Sequence, residues 1–450
     1  MWRKAVISAL IGVTLLSASC GPYGPSVPIP PAAITDDNSG GAIAFYQTWR
    51  MSGDHSLVEF YAQKISPEGD FLWGEKGMLI ASGDAAFYWT GDLYVVSDGS
   101  GGAFVIWGEF PSEPPYSQTH VTKIGFAGSV EWQRDIAGAK QAIEEAVPDE
   151  LGGVIIAYID QGNGNMSILK VDGEGNLPWG GDAVPLNLGN CDRSDIASDN
   201  LGGVIVVRHL GDNTSAQRVD SEGNIFWQTG GVQACVGPAE EAQVVSDGAG
   251  GAIIAYIRDI PCEDGRIGYC DSDIYAQRID AAGNALWGPD GVPICVGPSH
   301  PKTPKVVTDG AGGAIISFVD ERAVWAQRLD GDGHKLWPED VEVWKTAYHS
   351  LVSDGSGGAI CVWYGGGGIT AAAQRLDATG RELWGTNGTV LTSRGLELLS
   401  AVSDGPGGVL ISWPAVEFTG DEISEVSYYV QRVDADGNLP WGDEGILLNP

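Results

Sequence analysis

Basic residues are scarce in this sequence: 25 Lys and Arg stand against 59 Asp and Glu, a formal charge of −34 over 450 residues. A surface this negative repels phosphate backbones and anionic headgroups, which argues against nucleic-acid binding. Cysteine is sparse too, at seven, and no Cys-x-x-Cys occurs, so neither a zinc site nor a thioredoxin-type site has support. Gly-x-Ser-x-Gly, a phosphate loop and His-Glu-x-x-His are also missing. Beyond the N-terminal apolar run, no stretch is long enough to span a bilayer as a helix. What the chain has in excess is Gly, with 66 residues, beside 24 Pro and 16 Trp. That much punctuation excludes a mostly helical protein, and a 43% apolar fraction is too high for disorder.

At the N-terminus, Arg3 and Lys4 precede an apolar run from Ala5 to Leu16, then Ser17-Ala18-Ser19-Cys20. A charged start, a short apolar core and small residues before a cleavage point read as an export signal. The stretch ending at Cys20 resembles the lipobox of bacterial lipoproteins, with Ser17 where Leu is usual. That resemblance implies lipidation of Cys20 and an anchored position in the periplasm or at the cell surface. Residues 21 to 31, GPYGPSVPIPP, have the composition of a tether.

The remainder is one motif written eight times. A turn of the form Asp-Gly-x-Gly-Gly ends in Gly41, Gly102, Gly153, Gly203, Gly251, Gly313, Gly358 and Gly408. Downstream of each come a segment like YAQRID, a turn like DAAGN and a Trp: Trp73, Trp132, Trp179, Trp227, Trp287, Trp337, Trp384 and Trp441. The mean spacing of those Trp is about 53 residues. In one copy, Gln243 to Ser246, Gly251 to Ile257, Ile274 to Asp280 and a final short strand within Ala285 to Val296 read as four strands. GAIIAYI is apolar throughout, so the second strand is expected to be buried on both faces. Four antiparallel strands per copy predict an all-β, eight-bladed β-propeller. The expected organisation is a signal peptide over 1–19, a tether over 20–31 and the propeller over 32–450.

The segment LDATGRELW, Leu376 to Trp384, and its counterparts resemble the tryptophan-docking motif of quinoprotein-dehydrogenase-like propellers. The resemblance implies eight blades and a structural role for the eight Trp, each packed on the neighbouring blade. Asp377 stands one residue nearer Gly380 than that motif has it, and the family's vicinal disulfide has no counterpart. The resemblance therefore points to the family's non-catalytic envelope lipoproteins.

Each copy also carries a cation in its third strand: Lys64, Lys123, Lys170, Arg218, Arg278, Arg328, Arg375 and Arg432. Each ends its first strand in Asp: Asp37, Asp98, Asp149, Asp199, Asp247, Asp309, Asp354 and Asp404. A feature repeated eightfold suits a brace between blades better than catalysis. The turns DGDGH (Asp330 to His334) and DADGN (Asp434 to Asn438) begin as calcium loops do, but the other copies lack the middle carboxylate. Hairpin turns, and no cofactor, are expected. Cys262 and Cys270 flank one inserted loop and invite a disulfide in an oxidising compartment. Cys235 and Cys295 occupy equivalent positions, as a pair or as buried thiols; Cys191 and Cys361 have no evident partner.

Loops between second and third strands vary in length, and variable loops on a rigid scaffold are where binding is placed. The long ones of repeats 8, 1 and 2 share one sector, rich in Tyr46, Trp49, Phe87, Tyr88, Trp89, Phe110, Tyr116 and Phe418. Aromatic faces there suit a glycan or a protein, and sealing the ring's seam is the competing role. His55, His120, His209, His300 and His349 read as solvated loop residues, not metal ligands. The sequence thus favours a monomeric binding platform for an envelope protein or glycan, touching the membrane only through its lipid. The alternative is an envelope enzyme, either a quinone-cofactor oxidoreductase or a polysaccharide-cleaving hydrolase.

Overall fold

A computed structural model describes residues 32–449 except 53–54, 85–92, 110–117, 138–140, 161–163, 182, 191–192, 211–212, 236, 238, 262–268, 298–299, 347, 366–370, 393–398 and 420–421. No helix occurs among them. The strands form eight four-stranded antiparallel sheets, each built from consecutive strands, and these are the blades of a β-propeller. First strands of successive blades lie side by side, and that of blade 8 (Ser400–Ser403) meets that of blade 1 (Ala33–Asp36), so the ring closes.

Blade 5 shows why the sequence folds this way. Its second strand, Ala252–Pro261, sends alternate side chains into two different cores. Ala252, Ile254 and Tyr256 pack with Ile205 and Val207 of blade 4. Ile253, Ala255 and Ile257 pack with Ile316 and Phe318 of blade 6. A strand sandwiched between two neighbours has no solvent face, which accounts for its unbroken apolar run. Each pair of blades shares one such cluster, so the core is a ring of eight interfaces.

The Asp-Gly-x-Gly-Gly turn works through its Asp. Asp247 Oδ1 accepts the N–H groups of Ala249 and Gly251, at 2.9 and 2.8 Å. Its Oδ2 receives Arg278 Nη2 of the same blade at 2.8 Å. A Cβ at Gly251 would strike the Ile279 carbonyl and Asp247 itself, so only Gly fits there.

The same ion pair recurs in all eight blades, from 2.6 Å at Arg432–Asp404 to 3.9 Å at Lys123–Asp98. The expected blade-to-blade brace thus needs correcting, because Asp and cation belong to one blade. What crosses the seam is a further donor of the cation. Lys64 reaches the Gly101 carbonyl at 2.6 Å, Arg278 that of Gly331 at 2.8 Å and Arg432 that of Pro67 at 3.3 Å.

Each of the eight Trp donates its indole N–H to a carbonyl in the turn between the third and fourth strand segments of the next blade. The distances run from 2.8 Å (Trp179 to Ser221) to 3.4 Å (Trp73 to Phe126). The observed strands of blade 5 are longer than the core alone requires. Its hairpin, Ala252–Pro261 with Tyr269–Ile279, keeps pairing past Ile257, because ladder hydrogen bonds continue after the neighbouring blades end.

Candidate functional site

Strand direction places the Asp-Gly-x-Gly-Gly turns and the turns before the Trp on one face of the disc. Hairpins between second and third strands leave from the other. Most of these are short: in blade 4, pairing runs from Val204–Val219 to Leu210–Asn213. Three are tall. Blade 1 pairs from Ala42–Ile65 to Ser52–His55, and blade 8 from Val409–Val433 to Thr419–Glu422. Blade 5 has the third. In blades 1 and 8 the second strand is four residues longer than in blade 4, roughly 13 Å of added ribbon. Blades 8 and 1 are neighbours, so two ribbons rise side by side.

The aromatic candidates divide on this frame. Tyr46 is closed to any ligand, which corrects the expectation that it lines a binding sector. It is 1% exposed, stacks on Tyr61 at 5.8 Å, and donates its hydroxyl toward the carbonyls of Lys76 and Leu448, at 2.8 and 2.9 Å. Its role is in the seam between blades 8 and 1, where Tyr428 lies 6.0 Å away. Trp49 and Phe418 belong to the tall ribbons, with side chains outside the described residues. Phe87, Tyr88, Trp89, Phe110, Tyr116, Cys20, Cys191 and Cys262, and the Cys270 side chain, also lie outside them. Cys235, Cys295 and Cys361 are free thiols, so Cys235 and Cys295 do not pair.

Tyr46 is one of a set that sequence reasoning missed. Five residues after the last Gly of the turn stand Tyr46, Trp107, Tyr158, Arg208, Tyr256, Phe318, Trp363 and Trp413. Seven are aromatic and all are buried, with Arg208 the exception in kind. Counting forward from the repeated Gly would have found them.

A second set lies on the first strands, four residues before the terminal Asp. In blades 2 to 6 it reads Tyr94, Glu145, Asp195, Gln243 and Lys305. The Tyr94 hydroxyl donates to the Glu144 carbonyl of blade 3 at 2.7 Å. Glu145 Oε2 accepts Ile196 N–H of blade 4 at 3.1 Å, and Asp195 Oδ2 accepts Val244 N–H of blade 5 at 2.6 Å. Gln243 Oε1 accepts from Lys305 Nζ of blade 6 at 3.3 Å. One polar position therefore links five successive blades around half of the ring.

Bulges aim these side chains. The ladders shift register next to Glu145, Gln243 and Lys305, and Glu241 and Thr303 adopt φ of 47° and 49°. A β-branched residue in that region is strained, and bulges recur beside functional sites.

Burial governs the electrostatics here. It drives the Glu145 carboxyl well above the usual carboxylate range, and Asp195 beside it adds to the rise. Burial likewise raises Asp195, against the lowering pull of the Val244 N–H and Lys305. Asp195 Oδ1 is buried and finds no donor unless Glu145 carries a proton. Lys305 is lowered by burial, in spite of the acids around it. His349, whose Nε2 meets Ser317 Oγ at 2.8 Å, is pushed down to about 3 by burial and by Lys305.

The histidine expectation needs revision for three residues. His120 is buried in a strand, stacked on Trp107 at 5.0 Å and bonded to Asp135 at 2.8 Å. His209 is buried near Thr214, and His349 belongs to the first strand of blade 7. His300 sits on a loop, 3.2 Å from Asp271.

No protein-family model matches the chain, and no curated protein matches it. Solved structures do. Prolyl oligopeptidase B from Galerina marginata aligns over 89% of this chain and 55% of its own, at 10% identity and a TM-score of 0.47. A prolyl endopeptidase aligns over 86% and 55%, at 12% identity and 0.45. The polysaccharide lyase Uly1 aligns over 92% of both chains, at 9% identity and 0.44. The chain thus spans about half the length of the two prolyl peptidases.

Among the described residues, one group brings three metal-ligand side chains together: Asp330, Asp332 and His334. Asp330 Oδ1 accepts the N–H groups of Asp332 and His334, both at 2.9 Å. Asp280 makes the same two bonds to Ala282 and Asn284, where no second carboxylate exists. The arrangement is that of the hairpin turn.

Proposed function

We propose that this propeller is a non-catalytic binding platform, exported and held at the cell envelope by a lipid on Cys20, which grips an envelope protein or glycan through its ribboned face. The observation that carries the reading is the pair of tall hairpins on adjacent blades 8 and 1. Val58 and Val426, at the bases of the extra length, still join the seam clusters, and the ribbon beyond them is available for something other than the fold. Binding surfaces are commonly such projections on a rigid scaffold. In the polar arc, Tyr94, Glu145, Asp195 and Gln243 each bond to the next blade, which suits a structural role.

The perturbed Glu145–Asp195 pair is what favours the second reading, an envelope enzyme, since shifted carboxyls cluster at catalytic centres. Trimming separates the two. Cutting the blade 1 and blade 8 hairpins back to the length of blade 4 should abolish retention in a screen of envelope glycans and proteins. Undiminished retention by the trimmed chain would overturn the platform reading. Turnover of a quinone-linked alcohol or a polysaccharide that is lost in Asp195→Asn would establish the enzyme.

A further inference from the structure

The opposite face carries an anomaly in its repeat. At the middle position of the Asp-Gly-x-Gly-Gly turn, six blades have small residues or Pro: Ser39, Ser100, Ala249, Ala311, Ser356 and Pro406. Blades 3 and 4 instead have Leu151 and Leu201, which are 72% and 55% exposed. The turn does not need them, because it closes identically with Ser or Ala. Asp149 and Asp199 accept the same two N–H groups as Asp247 does.

The two leucines belong to one surface. Leu151 lies on Gly202 of blade 4, where an added Cβ would sit 2.7 Å from its Cδ1. Leu201 lies on Gly250 of blade 5, close to Arg218, whose guanidinium is 4.9 Å from the centre of the exposed Phe226 ring. Leu151, Leu201 and Phe226 are thus exposed apolar residues of blades 3 and 4, the row reaching the edge of blade 5 where Leu201 borders Gly250. Apolar surface gathered into a patch marks interaction sites more often than leucines scattered singly.

Carboxylates rim it. The turns Asp149–Gly153, Asp172–Asn176, Asp199–Gly203 and Asp220–Asn224 hold seven acids. Asp149 and Asp199 are neutralised by Lys170 and Arg218, which leaves Glu150, Asp172, Glu174, Asp220 and Glu222. The turns interlock: Ser221 also borders Gly202, and Gly173 approaches the Gly152 carbonyl. Glu150 and Asn200 hold φ of 59° where most copies place Gly, so blades 3 and 4 depart from the repeat at two positions each.

We infer that this face is a second docking surface, and that its partner is a basic amphipathic peptide segment. Such a segment lays its apolar stripe along the leucine row and its lysines or arginines against the five carboxylates. The site is independent of the ribboned face and of any ligand bound there.

The test uses the full chain and a fluorescein-labelled synthetic helix with one leucine face and one lysine face. Binding is followed by anisotropy in wild type and in Leu151→Ser/Leu201→Ser. Ser occupies the same turn position in blades 1, 2 and 7, so the variant folds, and all five carboxylates remain. The expected result is binding that weakens on adding salt and falls about tenfold or more in the variant. Equal affinity for both chains overturns the proposal, because the attraction is then diffuse charge. Absence of binding to wild type overturns it as well. So does self-association by light scattering that disappears in the variant, since a second copy would then be the occupant.

Discussion

The indole N–H of Trp441 donates to the carbonyl of Pro67 at 3.1 Å, across 374 residues of sequence. Among the described residues no strand is exchanged between blades 1 and 8, and side chains join them. Arg432 reaches the same carbonyl at 3.3 Å, and Ser412 Oγ donates to Ala32 O at 2.6 Å. Trp441→Phe removes the hydrogen bond and part of the packing, at a cost of about 1–3 kcal/mol. Faster hydrogen exchange is expected in blades 1 and 8, with blades 4 and 5 unaffected. Trp287→Phe should shift that effect to blades 5 and 6.

Gly380 and Gly385 separate backbone strain from docking. Both have positive φ, 83° and 77°. A Cβ at Gly380 would sit 2.9 Å from the Trp337 ring, whereas Gly385 faces open space. Ala at either position pays for a left-handed backbone, about 1 kcal/mol or more. Gly380→Ala alone adds the overlap with Trp337, a further 1–3 kcal/mol or so. Thermal unfolding should rank Gly380→Ala clearly below Gly385→Ala. Equal melting would mean that the ring yields freely.

Repeats made the fold legible. The interval from Gly to Trp, the largely apolar second strand and the paired Asp and cation recur in each copy, and each maps onto a bond or a seam. The closure was hidden because its partners, Tyr46, Pro67, Tyr428 and Trp441, lie at opposite ends of the chain. The polar arc escaped for another reason. Glu145, Asp195, Gln243 and Lys305 share no residue type, and only counting back from the repeated Asp brings them into register. Sequence leaves Tyr46 between a ligand contact and the seam, because an aromatic near a long loop reads the same whether it faces solvent or a neighbouring blade.

Arg278 tests the brace. Its guanidinium engages Asp247 through Nε and Nη2, and Nη1 reaches Gly331 of the next blade. Arg278→Met leaves a buried carboxylate unpaired, a loss of about 3–5 kcal/mol. Asp247→Asn keeps an oxygen for Ala249 and Gly251, so the double variant Asp247→Asn/Arg278→Met should be more stable than Arg278→Met. A double-mutant cycle by chemical denaturation measures that coupling. Additive losses would show that the pair contributes nothing beyond its separate packing.

Glu145 and Asp195 set a dependence on pH whose sign follows from burial. Both carboxyls are raised in the folded ring above their values in the unfolded chain. The folded state therefore binds their protons more tightly, and their contribution is fully present below the ordinary carboxylate range. It is lost as the pH rises through the raised values, at about 1.4 kcal/mol for each tenfold difference in proton affinity. His349 acts in the opposite sense: its lowered value means stability present above about 6.5 and lost as the pH falls toward 3. Glu145→Gln reproduces the protonated state, since its amide can accept from Ile196 N–H through oxygen and donate to Asp195 Oδ1 through nitrogen. The variant should match wild type near pH 5 and melt several degrees higher near pH 8. Parallel melting curves for the two proteins across that window would refute a shared proton.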